Sequence, residues 1–335
     1  MADETGATFV DEYHPDNIKL AHQISWNAPD DDLLFLKQIG VRWVQVHWRT
    51  QIPDVDQMRE IQKRLAQYDL RICSAGHSAG RSLKIQLGQP GRDEDIETYC
   101  TFIRALATLG IPLCLHSFHP ANTYTTHHVE RRGYTARAFD LDTFRTQVEK
   151  NRFERTYTTE EIWDNYTYFI KAVLPVAEEL NITLALHPDD PPVEMMNGVG
   201  KLITHYEGYR RAEEITDRSE NWRLLFCVGT WSEGGDQMGK DVFEMIQDFG
   251  GRGKIAAVHF RNVSSSMPYF EETFPDDGYM DMAQVMKALR RVGFNGPLMP
   301  DHIPKLVNDE NRRAGLAYCI SYMRALLRQA NASVR

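Results

Sequence analysis

What this chain lacks removes several classes of protein before any motif is considered. None of its apolar runs approaches the roughly 20 residues needed to span a bilayer, so no membrane-spanning helix is expected. It has no Lys/Arg cluster interleaved with aromatics, and its formal charge is -9, a field that discourages nucleic-acid backbones and anionic membranes. Residues 1–16 show neither a basic start nor an apolar core, so neither a signal nor a transit peptide is read there. Cysteine is sparse: Cys73, Cys100, Cys114, Cys227 and Cys319 are odd in number and widely spaced, which argues for reduced thiols in the cytoplasm rather than a disulfide framework. Internal repeats and low-complexity tracts are also missing.

What is present fits an ordinary globule, with 42% hydrophobic and 25% charged residues. From residue 19 onward, short apolar runs alternate with longer amphipathic stretches, the signature of βα units and a parallel sheet. Eight strands are expected, at 20–26, 43–48, 71–74, 112–117, 183–187, 224–227, 256–260 and 297–301. Helical periodicity predicts helices over 55–68, 95–109, 159–180, 240–249, 282–292 and 310–329. Thr158 followed by Glu160 and Glu161 suits a helix start, while Gly110, Gly293 and Asn181 stand where helices should stop. The expected fold is therefore an α/β (β/α)8 TIM barrel, one domain over 1–335. At 335 residues it is longer than the roughly 250 of a bare barrel but within the range insertions allow. Residues 121–155, rich in Thr, Arg, His and Tyr, exceed the usual βα loop and read as an insertion after the fourth strand that covers the active site.

In a parallel barrel the chemistry collects at the carboxyl ends of the strands. The last four predicted strands end in potential metal ligands: LALHPDD with His187, LLFCVGT with Cys227, AAVHFRN with His259 and PLMPDH with Asp301. Imidazole, thiolate and carboxylate from four neighbouring strand ends can converge on one divalent ion, and this set suits Zn2+ or Fe2+ and tolerates Mn2+. His302 follows Asp301 and can exchange protons at the rim near neutral pH. Arg261, two residues past His259, can project to the same side and offer a fork to a substrate carboxylate. Asp189 and Asp190, stiffened by Pro191 and Pro192, can hold Arg261 or orient His187. Earlier strands end in His22 and Trp26, His47 and Trp48, His77, and His116 with His119, of which Trp48 and His116 are the chosen candidates for substrate contact.

The run LALHPDDPP (184–192) resembles the signature of mannonate dehydratases, and further similarity follows in register. It includes YTTEEIWDN (157–165), AVLPVAEE (172–179), NGVGKLIT (197–204), FCVGT (226–230), FGGRGKIAAVHFRNV (249–263), DMAQVMKALRRVGFNGP (281–297) and PDH (300–302). The likeness covers roughly 105–330. It implies a (β/α)8 barrel related to xylose-isomerase-like enzymes, with one Mn2+ or Fe2+ per subunit held by His187, Cys227, His259 and Asp301. The reaction it implies converts D-mannonate to 2-keto-3-deoxy-D-gluconate and water in hexuronate (glucuronate) breakdown. His302 corresponds to the family's acid/base His beside the metal-binding Asp. Two departures stand out: DHIPKLVNDENRRAGLAY lacks the family's Pro-Gly-Tyr-Gly stretch, and EET (271–273) replaces its His-Glu-Ser. Tyr318 and Tyr322 are the candidate replacements on the final helix.

A small anionic sugar acid is thus the expected partner, with a homodimer as the candidate assembly. The competing readings are a metal-dependent sugar or sugar-acid isomerase or epimerase, in which the proton returns to carbon, and a non-catalytic sugar-acid-binding protein.

Overall fold

The computed structural model describes residues 13–50, 52–120, 123–148, 150 and 152–334. Most of the segment read for targeting signals, residues 1–12, and positions 121, 122, 149 and 151 of the insertion lie outside the described residues. In chain order the strands are β1 (Lys19–Ser25), β2 (Trp43–Trp48), β3 (Arg71–His77), β4 (Leu113–Ser117), β5 (His127–Arg131), β6 (Tyr134–Asp140), β7 (Thr183–His187), β8 (Met195–Met196), β9 (Val199–Gly200), β10 (Trp222–Cys227), β11 (Ile255–His259), β12 (Asn262–Val263), β13 (Tyr269–Thr273) and β14 (Pro297–Met299).

A closed barrel runs β1-β14-β11-β10-β7-β4-β3-β2, and its strand pairs are parallel. Parallel neighbours need crossovers, and the Val55–Gln67, Arg92–Thr108, Thr159–Glu179, Met282–Arg291 and Arg313–Ser333 helices stand close to their expected places. Thr158 and Glu161 form a reciprocal capping box on the Thr159–Glu179 helix. Asn181, Gly110 and Gly293 take φ of 53°, 68° and 75°, the left-handed turn that ends each preceding helix. The stretch expected as a helix over 240–249 is instead one α turn, Val242–Met245, widening into a π turn, Ile246–Gly250.

Strand parity separates two cores. Ala21, Cys73, Leu113, Leu115, Ala185, Leu225, Ala257 and Met299 fill the barrel interior. Val44, Val46, Trp48, Leu184, Leu186, Leu224, Phe226 and Val258 instead join the larger layer beneath the helices. Most interior side chains are small or unbranched, which leaves room above them for a cavity at the strands' carboxyl ends.

Segment 121–155 carries regular structure of its own. Its hairpin β5–β6 joins a second sheet of order β12-β13-β6-β5, in which Phe270 pairs with Phe139 and Glu271 with Ala138. Phe139, Phe144, Val193, Met196, Val263, Met267 and Phe270 make a separate small core beneath it. Reciprocal bonds between Thr135 and Lys305 tie the hairpin to the loop after β14. Among the described residues no helix is long and apolar enough to cross a membrane, and the five cysteines are buried and unbridged.

Candidate metal centre and active-site cavity

Each candidate ligand stands two residues beyond an interior barrel residue: His187 after Ala185, Cys227 after Leu225, His259 after Ala257 and Asp301 after Met299. Period-two alternation therefore points all four side chains at the same axis, one layer above the core. β14 ends at Met299, short of the expected 301, but Asp301 keeps the inward parity. Ligand atoms of His187, Cys227 and His259 lie within 4.8 Å of one another. His187 Nε2 is 3.2 Å from His259 Nδ1, and Asp301 Oδ2 is 3.5 Å from that same nitrogen.

Local structure prepares each donor. His187 Nδ1 donates to the Pro188 carbonyl at 2.7 Å, which leaves the Nε2 lone pair facing the cluster. Cys227 caps the Val228–Gly234 helix, whose Thr230 amide donates to Sγ at 3.4 Å. Burial would raise the Cys227 pKa, but Arg261 and His259 outweigh it and bring the thiol below its ordinary value. Burial likewise opposes the charge of Asp301, yet His302, His259 and Arg261 hold it well below the usual carboxylate range.

Behind the ligands lies a buried polar cage. The Arg261 side chain is fully buried; one guanidinium nitrogen meets Asp190 at 2.9 Å, another bonds Glu233, and Nε lies 3.4 Å from Asp301. Asp190, Glu233 and Glu272 gather closely enough to suggest a second cation site, but Arg261 already supplies the cation there. Burial, reinforced by Asp190 and Glu272 and only partly offset by Arg261, pushes the Glu233 carboxyl well above its ordinary pKa. Gly229 makes room for this arrangement, since a Cβ there would stand 2.6 Å from the Arg261 guanidinium carbon. His302 takes the left-handed φ of 44°, placing Nε2 3.7 Å from Asp301 and Nδ1 3.0 Å from Glu272. Burial opposes protonation of His302, but Asp301 and Glu272 prevail and lift its pKa to about 9.

The donor set fits a divalent ion. Two imidazoles, a thiol held below its ordinary pKa and an ion-paired carboxylate are all competent ligands of a divalent cation, and the ligand atoms of His187, Cys227 and His259 already lie within 4.8 Å of one another.

Above the cluster opens a cavity of about 310 Å³ bordered by His187, His259, Asp301, His302 and Asp190. Other sequence candidates fall elsewhere. Trp48 is buried against Phe102, because parity sends Val44, Val46 and Trp48 outward while Gln45 and His47 face the cavity. His116 borders the cavity, yet its ring packs edge-on against Phe169, on the strand face it shares with Cys114. Asp189 turns from the site to Lys201 at 3.1 Å and to the amides of Leu202 and Ile203. Arg261 does not reach the cavity, since its fork is taken up by protein carboxylates. Tyr318 bonds Asp276 on the exterior, Tyr322 packs against the main core, and no tyrosine is among the described residues bordering the cavity. Sequence reasoning missed Arg49, Arg81, Gln23 and Gln45, which border it, and Glu233 and Glu272 behind it; in β2, strict alternation from Trp43 would have found Gln45.

A closed parallel barrel with imidazole, thiol and carboxylate side chains gathered at its carboxyl mouth is the xylose-isomerase-like barrel fold. A xylose isomerase domain protein from Planctomyces limnophilus shares this fold, with a TM-score of 0.63 at 9% identity over 94% of this chain and 98% of that one. The family model described as D-mannonate dehydratase (UxuA) matches residues 134–331, and the chain belongs to the mannonate dehydratase family. Mannonate dehydratase 2 of Halalkalibacterium halodurans is 32% identical over 258 residues, 69% of this chain and 73% of that protein. The mannonate dehydratase of Streptococcus pneumoniae is likewise 32% identical over 258 residues, 69% of each chain. The crystal structure of mannonate dehydratase from Streptococcus suis serotype 2 superposes with a TM-score of 0.82 at 28% identity, covering 94% of this chain and 95% of that one.

Proposed function

We propose that this chain removes water from D-mannonate to give 2-keto-3-deoxy-D-gluconate, with His187, Cys227, His259 and Asp301 holding one Mn2+ or Fe2+ in the cytoplasm. The observation that carries the reading is the meeting of the His187, Cys227 and His259 donor atoms within 4.8 Å, beside Asp301 and His302. A divalent ion held there would supply positive charge that stabilises the anion formed as the C2 proton passes to a base, and that proton and the C3 hydroxyl together account for the water lost. His302 holds a proton between Asp301 and Glu272 and borders the cavity, so it is the group that protonates the departing C3 hydroxyl. Glu272 orients that imidazole, and Arg261 fixes Asp301 and Asp190 from behind. The chain acts as one barrel domain, possession of Thr123 on the cavity border supports segment 121–155 as its cover, and the assembly is a homodimer.

Loss of the C3 oxygen separates this reaction from isomerisation or epimerisation, where every oxygen of the substrate is kept. An aldonic-acid panel, incubated anaerobically with Fe2+ or Mn2+ and assayed with periodate and thiobarbiturate, should yield a 2-keto-3-deoxy product from D-mannonate. Interconversion of sugars without that product would reject the dehydratase reading.

A further inference from the structure

The cavity has two unlike sides. On one side stand His187, His259, Asp301 and His302, from β7, β11 and the segment after β14, whereas the facing wall comes from the ends of β1 to β4. On that wall Arg49 follows β2, and Arg81 ends the short Ser78–Arg81 turn after β3. Both arginines border the cavity, both are exposed to it, and neither has a hydrogen-bond or ion-pair partner among the described residues. Arginines of the second sheet behave otherwise: Arg131 is met by Glu271 and Asp277, and Arg137 by Glu272. Arg49 and Arg81 are close enough to repel each other, an arrangement that an arriving anion relieves.

A second observation falls on the same wall. Gln45 Oε1, Ser117 Oγ and both ring nitrogens of His119 are buried with no protein partner, on residues 6%, 2% and 4% exposed that border the cavity. Buried polar atoms nearly always have partners, so a cluster without them marks a place where something polar binds. An amide oxygen, a hydroxyl and an imidazole together accept from and donate to alcohols. Planar guanidinium forks match a carboxylate.

We infer that Arg49 and Arg81 form a carboxylate-binding subsite, and that Gln45, Ser117 and His119 take hydroxyls of the same polyhydroxy acid. This deepens the sugar-acid reading above and rests on it for the identity of the ligand. The subsite makes the protein choose acids over uncharged sugars of equal length.

The test titrates metal-stripped protein with D-mannonate, and with D-mannitol as its uncharged counterpart, by calorimetry in the wild type, Arg49→Gln and Arg81→Gln. Steady-state kinetics on the manganese-loaded proteins then separate KM from kcat. Each substitution should weaken D-mannonate binding and raise KM by about 10- to 100-fold, the worth of a charge-assisted pair. kcat should change far less, mannitol binding should stay as it was, and Arg81→Lys should recover part of the loss. Wild-type affinity and KM in both Gln variants would overturn the subsite, as would a wild type that does not bind D-mannonate. Arginine-dependent binding without any 2-keto-3-deoxy product would instead overturn the dehydratase reading and leave the subsite standing.

Discussion

At the scale of single residues, Cys227 and His302 lie in one cluster but should fail in different ways. Cys227→Ala or His259→Ala should lose bound metal and turnover together, because each removes a donor atom. His302→Asn should keep its metal while kcat falls by roughly 10²- to 10⁴-fold, the usual worth of a positioned acid. Elemental analysis beside the product assay checks both, and normal turnover in metal-free Cys227→Ala would end the proposed role. Gly229→Ala tests the cage: a methyl forced against Arg261 should disturb Asp301 from behind and weaken metal affinity by about 10- to 100-fold, measured by competition with a chelator. The convergence of His187, Cys227, His259 and Asp301 could be read in advance because strand parity and strand ends are local properties of sequence. The cage could not. Glu233 sits in a short helix carrying Gly229 and Gly234, a composition that local propensity does not mark as helical. Glu272 meets His302 across 30 positions of chain, a pairing made by the second sheet alone.

At the scale of elements, the sheet β12-β13-β6-β5 joins the inserted hairpin to His302. β13 carries both Phe270, stacked on Phe139 at 5.3 Å, and Glu272, which steadies His302. Phe270→Ala should cost about 3–5 kcal/mol of stability and also lower kcat, because loosening β13 frees Glu272. By contrast, Thr158→Ala opens the capping box of the Thr159–Glu179 helix and should cost roughly 1 kcal/mol with kcat intact. Thermal melts and kinetics on both variants decide the matter, and unimpaired kcat in a destabilised Phe270→Ala would detach the sheet from the chemistry. The long helices and the barrel strands follow from hydrophobic period and were visible beforehand. The hairpin was not, since its exposed polar strand β5 gains its pairing only from β6, and β6 from β13.

At the scale of the whole molecule, acid should unfold the metal-free protein through its buried imidazoles. Burial lowers the pKa of His22 and of His116 from 6.5 to about 4. Between those values the unfolded chain takes up protons that the folded chain refuses, so the stability these two histidines contribute is full above about pH 6.5 and declines as pH falls toward 4. Melting temperature against pH, recorded after chelation so that metal release plays no part, should show that slope, and His22→Asn should flatten it. A level profile over the interval would contradict the assignment. The order of strands around the ring carries a separate consequence for engineering. Residues 183–301 furnish all four candidate metal ligands, while residues 19–117 furnish most of the opposing wall, so the two duties fall on different stretches of one polypeptide. A chimera that borrows its first stretch from a relative with another appetite should inherit that relative's choice of acid and still load the same cation.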